Sequence, residues 1–264
     1  MSTPTFETIG YSTEGGVTTI TLNRPEVYNA FNDKLSYDLQ DALKAASRDP
    51  ETRVVVLTGS GEKAFCSGQD LKDSGKVANK SFADSLHKRY NPIIKRMRDM
   101  PKPIIGRING VAAGAGCSLA LACDVIVAAE HVKFIEVFIN IGLVPDSGSS
   151  YFLPNLIGYN KAFELATMGS HVQAQEAYNM GLINKVVPAT ELDNAIKGYT
   201  DYFANAPTKA IGQIKKMLQK AQDTSLNDML EYEAYMQEIA GRSEDYREGV
   251  NAFLEKRKPT FKGQ

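Results

Sequence analysis

Two segments rich in small residues and one proline-fixed acidic turn hold the residue types best suited to chemistry at a carbonyl. The first, Ala64-Phe65-Cys66-Ser67-Gly68-Gln69-Asp70-Leu71, follows the turn Gly59-Ser60-Gly61. The second, Asn109-Gly110-Val111-Ala112-Ala113-Gly114-Ala115-Gly116-Cys117, leads from a predicted strand into a helix predicted to start near Gly114. Small side chains let a ligand approach the backbone. A helix N-terminus also offers unpaired N–H groups at the positive end of its dipole. Two such donors converging on one oxygen would stabilise a developing oxyanion, and losing one costs about 3 kcal/mol. The same glycines serve tight turns and close helix–strand contact equally well. Neither segment is a Walker loop, because no Gly-Lys-Ser/Thr follows.

Asp146 lies in Gly142-Leu143-Val144-Pro145-Asp146-Ser147-Gly148-Ser149-Ser150, ahead of an apolar stretch. From the residues alone, a helix cap or an Asx-turn fits it as well as a proton-transfer base does. His87, His131 and His171 fall in polar or turn contexts with no metal-ligand spacing, so no metal site is expected. Cys66, Cys117 and Cys123 form no CxxC pair and read as buried thiols of a reducing compartment.

The elements that must position these residues alternate. Val17-Thr18-Thr19-Ile20-Thr21-Leu22 is β-branched and alternating, hence a strand. Asn32 or Asp33 caps a helix carrying Leu35, Leu39, Leu43 and Ala46. Arg53-Val54-Val55-Val56-Leu57-Thr58 is a continuous apolar run, the pattern of a strand covered on both faces. A helix over about Phe82 to Met100 stops before Pro101. Strands follow at Pro103–Ile108 and Asp124–Ala128. Such alternation predicts an α/β fold with parallel pairing through right-handed crossovers. From about Asp193 onward the pattern is almost wholly helical, which places a soft boundary near residue 198. In the last helix Ser243 is the cap, Tyr246, Val250, Phe253 and Leu254 form an apolar stripe, and Lys256, Arg257 and Lys258 favour the C-terminal dipole.

The 264 residues are 43% hydrophobic and 23% charged, enough for one substantial core. Lys plus Arg total 30 against 31 Asp plus Glu, a near-neutral balance that argues against a nucleic-acid partner. The N-terminal stretch has no basic and apolar regions of a signal peptide, and no apolar run reaches spanning length. A cytoplasmic protein without a membrane partner is expected.

The blocks Asn23-Arg24-Pro25 with Asn29-Ala30, Ala64 to Leu71, Asn109 to Gly116, and Gly142-Leu143-Val144-Pro145 resemble, in order and spacing, the signature blocks of the crotonase (enoyl-CoA hydratase/isomerase) superfamily. Gly241-Arg242-Ser243-Glu244-Asp245-Tyr246-Arg247-Glu248-Gly249 resembles that family's tail. The resemblance covers essentially the whole chain. It implies a ββα spiral core over residues 1–198 and a helical oligomerisation region over 199–264, forming a trimer or a dimer of trimers. It also implies an acyl-CoA thioester as substrate, with coenzyme A belonging to that substrate and no separate cofactor. By position, the oxyanion-hole N–H groups fall on Gln69 and Ala115, and Ser67 matches a backbone position against the adenine. Arg24 is a candidate contact for the nucleotide part of coenzyme A, or equally a structural salt bridge.

Hydratases of this family use two glutamates, and at those positions this chain has Ser118 and Phe138. Neither can relay a proton to water. Glu136 is nearby, but strand alternation sets it apart from the site, and it is given no catalytic role. Asp146 matches the lone catalytic aspartate of several members, isomerases among them. One carboxylate suits a shuttle that removes a proton at one carbon and returns it to another. The blocks are most similar to a branch of the family that converts ring-1,2-epoxyphenylacetyl thioesters to oxepin thioesters and also shifts enoyl double bonds. A hydratase or dehalogenase is the alternative, and a non-catalytic binding protein a more distant one. Tyr90, Phe138 and Phe152 are candidate pocket walls or plain core.

Overall fold

The computed structural model describes residues 4–74 and 81–264. Its first feature is a hairpin. β1 (Ile9–Glu14) pairs antiparallel with β2 (Val17–Leu22). Gly15 and Gly16 between them take φ of 56° and 83°, left-handed values that glycine adopts without a Cβ clash. The strand β1 had no clear alternation to announce it. β2 then runs parallel to β3 (Val54–Gly59), buried along its whole length as its apolar run predicts.

After β3 the chain repeats one plan. A strand of the large sheet is followed within a few residues by a three-residue strand of a small second sheet, and then by helix. β3 leads to β4 (Ala64–Cys66), β5 (Ile104–Ile108) to β6 (Val111–Ala113), and β7 (Val125–Ala129) to β8 (Lys133–Ile135). β9 (His171–Gln173) closes the small sheet, and β10 (Lys185–Val187) the large one. The orders are β1-β2-β3-β5-β7-β10 and β4-β6-β8-β9. Successive strands of each sheet pair in parallel after β2, apart from the antiparallel β8–β9 contact. The result is the ββα spiral. Strands of three residues carry too little periodicity to be read from sequence, which is why only the longer partner of each pair was expected.

Helix α1 (Asp33–Arg48) is capped by Asn32, whose side chain accepts from Leu35 N, and it buries Leu35, Leu39, Leu43 and Ala46. α2 (Leu71–Ser74) precedes the next described stretch, α3 (Phe82–Ser85), a π-helical turn over Leu86–Tyr90, and α4 (Asn91–Asp99). The expected single helix is thus real in extent but widened in its middle. α5 (Ala115–Leu121) is wholly buried. α6 (Ser149–Ile157), α7 (Tyr159–Met168) and α8 (Ala174–Asn179) follow.

The remainder is helical, as expected: α9 (Leu192–Ala204), α10 (Thr208–Lys220), α11 (Leu226–Gly241) and α12 (Glu244–Leu254). Residue 198 falls inside α9. Buried Lys215 joins α10 to the core through Asp124 Oδ2 at 2.7 Å and Met97 O at 2.8 Å. Ser243 caps α12 by accepting from Tyr246 N. Tyr246, Val250, Phe253 and Leu254 are exposed on the single chain. α12 ends at Leu254, so Lys256, Arg257 and Lys258 follow directly after its last turn and do not lie within it. Arg257 instead pairs with Glu248 at 2.6 Å.

Candidate active site

The spiral brings the two small-residue loops into backbone contact. A Cβ on Gly68, whose φ is 90°, would lie 2.8 Å from Ala113 O and 3.5 Å from Ala115 N. A Cβ on Gly116 would fall 2.1 Å from Cys66 O, an impossible approach. Glycine at these two places is therefore what lets the first turn of α5 rest on β4 and the loop beyond it. That loop is also stitched to Phe31: Phe31 N donates to Gly68 O at 2.7 Å, and Asp70 N to Phe31 O at 2.9 Å.

The Gln69 side chain is fully engaged. Its Nε2 donates to Phe31 O at 2.9 Å and Asp70 O at 3.1 Å. Its Oε1 accepts from Arg89 Nη2 at 2.6 Å and from the Tyr90 hydroxyl. The main-chain N–H groups of Gln69 and Ala115 make no hydrogen bond among the described residues. Ala115 opens α5, where an N–H has no intrahelical acceptor, and no side chain caps it. Two backbone donors thus lie on adjoining stretches of chain with no acceptor among the described residues.

Asp146 sits beside the same helix start. The Ser118 hydroxyl, one turn into α5, reaches the Asp146 main-chain oxygen at 3.0 Å, and Ser149 N donates to that oxygen at 3.1 Å. Ser147 and Gly148 carry φ of 51° and 89°, so the turn reverses sharply before α6. Burial pushes the Asp146 carboxyl above its usual range, while Ser147 Oγ, donating to Oδ1 at 2.8 Å, opposes the shift. Asp146 remains partly exposed. The Tyr90 phenol is pushed up by burial and by the charge of Asp146, which puts the two groups in each other's field.

The two hydratase glutamate positions are occupied as the sequence indicates. Ser118 is fully buried and spends its hydroxyl on the Asp146 turn. Phe138 is buried, with its ring close to the point where a Cβ on Gly114 would stand. Of the other candidate walls, Tyr90 packs edge-on against Phe31, and Phe152 lies under the Arg98 guanidinium at 5.5 Å.

Ser67 lies at the mouth of the first loop, with its N–H donating to Tyr28 O at 3.1 Å. Arg24 donates to Ala30 O at 2.6 Å and pairs with Asp70 at 3.1 Å, so it braces the loop that carries Gln69. The salt-bridge alternative for Arg24 is present in the fold. Cys66, Cys117 and Cys123 are buried free thiols, in keeping with the expectation. No group of three metal-binding side chains occurs among the described residues. No helix among them is long and apolar enough to cross a membrane.

Two features escape sequence reasoning. Arg89 is a buried cation tied to Gln69, yet in the sequence it is one base in a polar run. Glu136 is buried at 3% exposure. β8 ends at Ile135, so the alternation argument that set Glu136 aside does not reach it.

Comparison with known proteins gives one consistent answer at the level of family. The sequence model of the enoyl-CoA hydratase/isomerase family matches residues 12–264. The chain is 42% identical to the 1,2-epoxyphenylacetyl-CoA isomerase of Escherichia coli (strain K12), over 95% of this chain and 97% of that protein. It is 40% identical to a probable enoyl-CoA hydratase of Rhodobacter capsulatus, over 98% and 99%. The crystal structure of an enoyl-CoA hydratase from Bacillus anthracis superposes with a TM-score of 0.93 at 32% identity, covering 98% of this chain and all (100%) of that one. Relatives named for isomerisation and for hydration both match this chain over nearly its whole length. On sequence and fold together, the chain belongs to the enoyl-CoA hydratase/isomerase family, with the crotonase fold.

Proposed function

We propose that the chain is an acyl-CoA isomerase in which Asp146 moves a proton on the bound acyl group. The observation that carries this reading is the identity of the carboxylates. Ser118 and Phe138 stand where a hydratase keeps its glutamates, and Asp146 is the partly exposed acid beside the unpaired N–H groups. The Gln69 and Ala115 N–H groups hold the thioester oxygen. Asp146 takes a proton from the carbon next to that carbonyl, and the electron pair moves onto the held oxygen. The conjugate acid of Asp146 then returns the proton at a carbon farther along, so the double bond shifts and nothing is added. The raised pKa of Asp146 suits both halves of that exchange.

The Escherichia coli relative's name supports ring-1,2-epoxyphenylacetyl-CoA as substrate, with oxepin-CoA as product, alongside 3-enoyl-CoA esters. Ser67 lies against the adenine, and Arg24 reaches the nucleotide part of coenzyme A only to the extent that Asp70 releases it. The exposed face of Tyr246, Val250, Phe253 and Leu254 supports assembly as a trimer or a dimer of trimers, which sedimentation velocity tests directly. Several relatives are named as hydratases, and that keeps water addition as the second reading.

The discriminating experiment pairs two assays. Asp146→Asn is expected to retain binding of a 3-enoyl-CoA ester while losing turnover by about a hundredfold to ten-thousandfold. Near-native turnover in that variant would falsify the assignment of Asp146. Hydration of crotonyl-CoA by the native protein, at a rate matching its isomerisation, would favour the hydratase reading instead.

A further inference from the structure

Behind the Asp146 turn lies a second carboxyl group that the reaction above does not use. Glu136 follows β8, is 3% exposed, and leaves its Oε2 without a hydrogen-bond partner. Its Oε1 is 3.0 Å from Ser149 Oγ. Ser149 Oγ is 2.8 Å from Ser118 Oγ, and Ser118 Oγ is 3.0 Å from the Asp146 main-chain oxygen. These contacts form a continuous path from a buried carboxyl to the backbone of the candidate base. Gly114 O, at 3.3 Å from Ser118 Oγ, is the longer alternative, and it already accepts from Ser118 N.

Counting protons along that path gives two states. Each serine hydroxyl donates one hydrogen. With Glu136 ionised, Ser149 donates to the carboxylate; Ser118, at its shortest contact, then donates to Ser149 at 2.8 Å, and only Ser149 N remains as a donor to the Asp146 oxygen. With Glu136 neutral, its own proton goes to Ser149, Ser149 donates to Ser118, and Ser118 donates to the Asp146 oxygen. The neutral acid satisfies every contact in the path. It also avoids a buried charge whose second oxygen has at most the weak Cys117 thiol as a donor, which is costly.

The surroundings favour the same state. The titratable groups facing Glu136 are Cys117, from α5, and Asp146. The small cavity beside it is otherwise lined by Ser170 and by the apolar Phe134, Ile135, Leu153, Leu165, Val172 and Leu182. Burial and the charge of Asp146 push the Glu136 carboxyl up to about 7, against the opposing contacts of Ser149 and Cys117.

We propose that Glu136 is a positioning residue: as a neutral acid it orients the Ser149–Ser118 path so that the Ser118 hydroxyl joins Ser149 N in holding the Asp146 oxygen, and its ionisation reverses the path and leaves that oxygen to Ser149 N alone. This role rests on Asp146 being the base of the reaction.

Glu136→Gln keeps a donor pointing at Ser149 at every pH, whereas Glu136→Met keeps the bulk and removes the donor. Turnover of a 3-enoyl-CoA ester by the native protein is expected to fall about tenfold between about pH 6 and pH 9. Glu136→Gln should match native kcat within about threefold at the acid end and lack the alkaline fall. Glu136→Met should lose about tenfold in kcat at every pH with KM nearly unchanged. An alkaline limb that persists in Glu136→Gln overturns the proposal, and so does a loss in Glu136→Met carried by KM.

A second measurement needs no turnover. Infrared difference spectra at about pH 6 should show a protonated carboxyl band that Glu136→Gln deletes and Ser149→Ala shifts. Absence of that band, or its indifference to Ser149→Ala, overturns the proposal whether or not the protein isomerises thioesters. Retained turnover in Asp146→Asn, with the band and its shift present, removes the base assignment and leaves the buried acid in place.

Discussion

Arg89 Nη2 lies 2.6 Å from Gln69 Oε1, so a buried cation fixes the side chain of a residue whose backbone N–H has no acceptor among the described residues. The same guanidinium reaches Asp33 and Ser85, which ties α1 and α3 to the first loop. Arg89→Met deletes the charged donor while Tyr90 still holds the amide. The expected cost is about 1–3 kcal/mol in urea unfolding, together with a fall in isomerisation kcat. Unchanged stability and kcat would show that the Tyr90 contact alone suffices.

The acid limb of activity should report Asp146. A base must be ionised, so turnover is lost as pH falls through a pKa that burial holds above the usual aspartate range. Ser147→Gly removes the hydroxyl that donates to Oδ1 and suits the left-handed φ of 51° at that position. The acid limb should therefore move to higher pH in this variant without loss of fold. A limb that stays put, or moves lower, contradicts the geometry.

Glu136 makes stability depend on pH in a definite direction. Its pKa is near 4.5 when solvated and about 7 in the folded chain. Below about 4.5 both states hold the proton and Glu136 imposes no penalty. As pH rises, the unfolded chain ionises first, so folded-state stability declines until the folded carboxyl also titrates near 7. The difference amounts to about 3 kcal/mol at most. Denaturant melts of the native protein and Glu136→Gln across this range should diverge in slope, with the variant losing less as pH rises.

Gly116→Ala tests the contact between the loops. Its Cβ would meet Cys66 O at 2.1 Å, and both partners are backbone, so neither side can swing aside. Destabilisation of about 1–3 kcal/mol or more is expected, with thioester binding and stability lost together. A fully stable Gly116→Ala protein would mean that α5 does not rest on β4 as described.

Much of the fold was legible because it follows from periodicity. The apolar run Val54 to Leu57 has the pattern of a covered strand, and the spacing of Leu35, Leu39 and Leu43 that of one helix face. β4, β6 and β8 were not legible, since three residues such as Val111, Ala112 and Ala113 carry no period. Gln69, Ala115 and Asp146 became candidates through family resemblance, since their own residue types fit turns and caps equally well. The surroundings of Glu136 were not legible, because Ser149 and Ser118 approach it through folding and not through sequence distance. Arg89 was hidden for a related reason. A basic residue amid His87 and Lys88 looks like surface until the wide helical turn buries it.

That wide turn has a consequence for how the chain tolerates change in length. In a regular α-helix neighbouring residues point about 100° apart, and one acceptor seldom meets both. Over Leu86–Tyr90 the ring is one residue larger, and Arg89 and Tyr90 both reach Gln69 Oε1. Deleting a single residue within the turn would restore ordinary helix and, in doing so, rotate one of the two away. The turn is thus the place where one codon decides whether the first loop is gripped once or twice.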